Sequence, residues 1–233
     1  IMVPLNRMDQ LYRYRSIGKK QPKIDRLGGK SWKTKMAKVK SKVLDMAHQL
    51  IRIHAKRAAS TGHSYDITHP LLEQFSATFP YEETPDQEHS IKETLNDLAR
   101  EKQMDRLLIG DVGFGKTEVA MRASMCVAAA KHQVALLCPT TILAMQHYRT
   151  FRQRFSPFDI KIALVSRLQT AKEIKEIYKK LAQGEIQILI GTHALLNKRI
   201  QFQHLGLVIA DEEHRFGVVQ KEKLRALSQS NSI

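Results

Sequence analysis

Five short aliphatic runs recur along the second half of the chain: RLLIG (106–110), QVALLC (133–138), IKIALVS (160–166), IQILIG (186–191) and LGLVIA (205–210). Each is almost continuously apolar, as a strand covered on both faces must be. Helical patterns of about 12 to 16 residues separate most of them, which is the rhythm of right-handed βαβ units. The pattern predicts an α/β fold: a parallel sheet flanked by helices, from about residue 91 to 233.

The first run leads into Gly110-Asp111-Val112-Gly113-Phe114-Gly115-Lys116-Thr117, which fits G-x-x-x-x-G-K-[ST]. Glycines at these offsets let the backbone curl so that N–H groups face phosphate oxygens, and the helix that follows adds its positive end. Gly110, Gly113 and Gly115 are therefore candidate phosphate-cradle residues. Lys116 is placed to reach the β- and γ-phosphates of ATP, and Thr117 to ligate Mg²⁺. Asp211-Glu212-Glu213-His214 follows the last aliphatic run. An aspartate at the carboxyl end of a strand suits a metal, directly or through water, so Asp211 joins Thr117 as a candidate metal ligand. The next carboxylate, Glu212, is placed to orient and deprotonate an attacking water.

Upstream, Trp32, Met36, Val39, Val43, Met46, Leu50 and Ile53 recur at steps of four and three. They form one apolar stripe of a long helix over 31–60, with Ser31 as its N-cap. Such a helix either braces two domains or simply lies on a surface. Residues 1–30, with short extended pieces between turn signals, read as the tail of a small β-domain. Residues 61–90 are rich in polar and turn residues and read as a linker.

The net charge of +15 is unevenly placed: residues 1–60 carry +13 and residues 61–103 carry −6. A basic helix of this kind serves solubility, nucleic-acid binding or an acidic partner. No apolar run reaches the roughly 18 residues that span a bilayer, so no membrane role is expected. Cys126 and Cys138 stand in apolar segments with no metal-ligand spacing. They read as buried thiols of a reducing compartment, a disulfide between them being the alternative.

GKT together with DEEH resembles superfamily-2 helicases and translocases of the DExH type. GDVGFGKTEVAMRA and DEEHRFGVVQKEKL, with the long helix RLGGKSWKTKMAKVKSKVLDMAHQLIRIHAKRA, resemble the bacterial transcription-repair coupling factors. RecG-type helicases are the nearest relatives of that family. The resemblance covers most of the chain. It implies a RecA-like first motor lobe, a cytoplasmic bacterial protein, ATP and Mg²⁺ as cofactors, and double-stranded DNA, RNA polymerase and nucleotide-excision repair proteins as partners.

Residue by residue, the resemblance makes FPYEETPDQ (79–87) an adenine-recognition segment, in which Gln87 hydrogen-bonds the base and Phe79 packs on it. It places Thr140, Thr141, Ser166, Arg167, Thr192 and His193 along a DNA backbone; for Thr140 and Thr141, helix capping is the bland alternative. His214 becomes the residue that links nucleotide to DNA. Val219 and Ala210 stand where the family often has Arg and a branched aliphatic residue. The family continues past DEEHRFG into a strand bearing T-A-T, which lies between the phosphate-loop strand and the Asp-Glu strand, and into a second lobe with arginine fingers. The chain therefore reads as a fragment, inactive or very slow alone. A fork-remodelling helicase of RecG type and a non-hydrolysing binding module for nucleic acid or polymerase are the alternatives.

Overall fold

The computed structural model describes residues 8, 30–59, 62–111, 113–197, 199–217, 220, 221, 223 and 227; several side chains within 31–59 are likewise outside the description. The expected β-domain tail at residues 1–30 and the departure at Val219 thus lie outside the described residues, Met8 and Lys30 apart. The chain divides into two units, residues 1–56 and 57–233.

Helix α1 spans Lys30–Ala59, most of it in the first unit. It starts one residue before Ser31, the expected N-cap, whose side chain lies outside the description. Trp32, Met36, Val39, Val43 and Met46 of its apolar stripe are exposed.

In the second unit, helices α2 (Pro70–Ala77) and α3 (Pro85–Leu98) precede α4 (Lys116–Ala129). Then come β1 (Gln133–Leu137), α5 (Thr141–Arg154), β2 (Ile162–Val165), α6 (Ala171–Ala182), β3 (Ile188–Gly191) and β4 (Leu205–Ala210). The four strands form one sheet in the order β2-β3-β1-β4. All pairings are parallel, with Val134 opposite Ile188 and Leu207 on either side of it. The interior strands β1 and β3 are buried throughout, as their unbroken aliphatic runs require. Edge strands β2 and β4 are partly open.

Two features depart from the expectations. The segment 61–90 is not merely a connection. Tyr65, Leu72 and Phe75 are buried in the core, and the Phe75 ring lies 4.6 Å from that of Phe155. Burying one such ring stabilises by about 1.5–3 kcal/mol, enough to hold α2 against the lobe. The run 106–110, expected as a strand, is not one: Leu107 is 74% and Ile109 84% exposed. Among the described residues no strand runs beside it, and extended backbone without a ladder partner bonds to water instead.

Gln133 pins the amino end of the sheet. It is 2% exposed. Its amide nitrogen donates to the carbonyls of Leu181 and Ile186, each at 2.8 Å, and its oxygen accepts from the N–H groups of Gln203 (2.7 Å) and His204 (3.1 Å). A buried amide is tolerated because every polar atom has a partner.

Candidate active site

The carboxyl ends of the parallel strands gather the candidate residues at one edge of the sheet, where α/β folds bind ligands. β1 runs into Pro139-Thr140, β2 into Ser166-Arg167, β3 into Thr192-His193 and β4 into Asp211. Asp211 N–H donates to Leu137 O at 2.9 Å, which extends the β1–β4 ladder by one residue and fixes where the carboxylate emerges.

Gly113 (φ 90°) and Gly115 (φ 77°) take left-handed backbone conformations. The positive φ of Gly115 favours glycine at this turn, and a Cβ there would also press on the Gln87 amide. Gly110 lies against the Lys116 side chain, with 3.6 Å from an added Cβ to Cγ. Helix α4 begins at Lys116 without a side-chain cap, and Glu118 N–H in its first turn donates to Gly115 O at 2.8 Å. Lys116 Nζ donates to Asp111 O at 2.7 Å and to Gly110 O, folding back over the cradle. Thr117 follows in the first turn, half-buried.

The Asp211 carboxyl is held below its ordinary range, by a hydrogen bond from His147 above all and, least, by the charge of Lys116. His147 Nε2 lies 2.8 Å from Asp211 Oδ2; burial opposes the lowering, and the His147 charge and the Glu212 N–H assist it. His147 was not singled out by its sequence context, and nothing in the local pattern distinguishes it. Glu212 adopts φ 54° and ψ 46°, a left-handed conformation that costs a side-chain-bearing residue about 1–2 kcal/mol. Such strain concentrates at functional turns. Glu212 Oε2 lies 3.2 Å from His214 Nε2, whose ring is largely exposed.

A donor set of a threonine hydroxyl and carboxylate oxygens is hard and anionic, as Mg²⁺ requires, and the loop beside it suits a polyphosphate. The residues present therefore fit Mg²⁺-ATP.

Gln87 caps α3: its oxygen accepts from Thr84 N–H (3.0 Å) while Thr84 Oγ accepts from Gln87 N–H. Its amide nitrogen donates to Phe114 O at 2.8 Å, tying segment 79–87 to the glycine-rich loop. Phe79 packs near the Arg122 and Arg154 guanidinium groups, at 5.9 and 5.7 Å. Those two arginines converge on the buried Glu118, and Arg122 also reaches Glu83. This ion cluster is a second feature that sequence did not reveal.

All six candidate DNA residues line one groove of about 840 Å³, together with Lys175, Tyr178 and Arg199. They are not equally available. Thr140 is exposed and is also the N-cap of α5, its oxygen accepting from Leu143 N–H at 3.2 Å. Thr141 opens the helix. Arg167 and His193 are exposed, whereas Ser166 (1%) and Thr192 (5%) are buried. Ser166 donates to Gln169 Oε1 at 2.8 Å and accepts from Leu168 N–H at 3.3 Å, so its hydroxyl is engaged within its own loop.

A parallel sheet with a phosphate loop and an acidic strand end at its carboxyl edge defines a RecA-like P-loop domain. The family model for DEAD/DEAH box helicases matches residues 84–231, and the chain belongs to that family. It is 48% identical over its whole length to the transcription-repair-coupling factor of Bacillus subtilis and 44% identical to that of Haemophilus influenzae, spanning 20% of each. A solved structure of RecG bound to a three-way DNA junction superposes with a TM-score of 0.67, at 43% identity over 75% of this chain and 24% of that one.

Proposed function

We propose that the chain is the first motor lobe of an ATP-driven double-stranded DNA translocase of the coupling-factor type, which displaces stalled RNA polymerase and brings in excision-repair proteins. The observation that carries this reading is a glycine-rich loop and an acidic strand end on one lobe, with the Lys116 charge felt at Asp211, and a groove lined with hydroxyls and cations at the carboxyl ends of the strands. In this reading the loop N–H groups and Lys116 bind the phosphates, Thr117 and Asp211 hold Mg²⁺, and Glu212 accepts the proton of the attacking water. When bound, Mg²⁺ neutralises charge on the transferring phosphoryl group. Arg167, His193 and the hydroxyls of Thr140 and Thr141 grip phosphates without reading sequence. Motors of this class also use a cation from a second lobe, and its loss costs about 10³–10⁵ in rate. The chain by itself is accordingly expected to turn over ATP far more slowly than the longer protein its relatives represent.

Lys116→Ala tests the nucleotide reading. Binding of a fluorescent ATP analogue should fall by at least about tenfold, the equivalent of one charge-assisted contact of about 1.4 kcal/mol. Unchanged affinity would remove the assignment. The likeness to RecG keeps a fork-remodelling motor as the second reading. Pull-down of RNA polymerase by the gene product at its natural length separates the two: capture favours the coupling factor, and preference for branched DNA without capture favours the alternative.

A further inference from the structure

Helix α5 touches both sites. Its N-cap Thr140 and first residue Thr141 form one wall of the groove, while His147 on the same helix bonds Asp211. His147 stands six positions after Thr141, about 9 Å along a helix axis. The His147 side chain is 15% and that of Asp211 28% exposed, so the bond is shielded from most competition by water. The imidazole stands edge-on to the fully buried Phe151, with ring centroids 6.4 Å apart, which fixes its direction. A carboxylate oxygen at 2.8 Å accepts, so Nε2 bears the hydrogen.

We infer that His147 is a positioning residue that couples the groove to the nucleotide site: a DNA backbone seated against the first turn of α5 shifts the helix, and His147 carries that shift to the Asp211 carboxylate. The inference rests on the motor reading above. It assigns to His147 a link distinct from that expected of His214, whose ring is 72% exposed and bonded only within its own turn among the described residues. A packed helix moves as one body, so a displacement at its N-cap need not fade over two turns. The effect on Asp211 is a change of carboxylate orientation, which would alter how well this oxygen could hold Mg²⁺.

The test uses the gene product at its natural length, with a blunt DNA duplex, mant-labelled ADP and Mg²⁺. Two variants keep the packing volume: His147→Phe removes the N–H, and His147→Gln retains a donor at the corresponding reach. For the parent, duplex is expected to change Mg²⁺-dependent mant-ADP affinity by about 5–150-fold, the usual span of coupling between sites. For His147→Phe the change should shrink to less than about twofold, with mant-ADP affinity in EDTA and duplex affinity without nucleotide both preserved; His147→Gln should restore most of the coupling. Coupling in His147→Phe equal to the parent's overturns the inference and leaves the motor reading standing. So does a failure of His147→Gln to restore it, which would make the ring a packing element. Failure of the parent to bind mant-ADP at all overturns both readings.

Discussion

His132 sits where three imidazoles meet. Its ring centroid is 4.3 Å from that of His63 and 6.0 Å from that of His204, and its Nδ1 is 3.0 Å from Ala130 O. Burial pushes its pKa below the ordinary 6.5; the bond to Ala130 opposes this, and the two neighbouring histidines add to the lowering. A base with a depressed folded pKa stabilises the fold fully above its unfolded value, and that contribution is lost as pH falls through the folded one. The lobe should therefore lose stability below about pH 6.5 in part through this residue. His132→Asn keeps a donor for Ala130 and removes the titration. Its melting temperature should fall less than the parent's between about pH 8 and about pH 5. Parallel curves for the two proteins would show that the cluster does not matter. At the same scale, Cys126 and Cys138 are buried and free rather than joined in a disulfide, and desolvation raises their thiols to about 11 and about 12.

At the scale of elements, one buried amide joins β1, the end of α6, the approach to β3 and the approach to β4. Gln133→Leu would leave two carbonyls and two N–H groups without this partner. An unsatisfied buried group costs about 1–3 kcal/mol, and partial relaxation toward water reduces the total, so a loss of about 3 kcal/mol is expected in urea unfolding. A loss under about 1 kcal/mol would mean that these segments hold without the amide. The αβ alternation of the elements was legible because buried parallel strands carry unbroken aliphatic runs. The role of the 61–90 segment was not. Its polar and turn residues dominate the composition, while its core contribution comes from isolated side chains such as Phe75, which no periodicity marks. The opposite error befell 106–110: an aliphatic run reads as a strand, but a strand exists only when another supplies its hydrogen bonds.

For the whole molecule, the excess of positive charge predicts salt-sensitive binding to DNA. The groove and the basic α1 are rival origins of that sensitivity. If the groove holds the backbone, Arg167→Ala should weaken duplex binding about equally for all sequences and reduce the slope of log affinity against log salt by about 1. Replacing Lys33, Lys35, Lys38, Lys40 and Lys42 by glutamine should then leave the slope nearly unchanged. The reverse outcome would assign DNA to the helix and support the binding-module alternative.

The alternation of strands and helices from 133 to 210, the glycine-rich G-x-x-x-x-G-K-T run and the acidic strand end were legible in the sequence alone. Each is a local pattern, set by side-chain periodicity or by glycines that a tight turn demands. Only the folded chain decided that His147 meets Asp211 across 64 residues, that Arg122 and Arg154 converge on Glu118, and that Ser166 turns inward while Arg167 faces the groove. Those outcomes depend on how helices seat on a sheet whose strand order departs from chain order, and contacts made across such crossovers leave no periodic trace in the sequence.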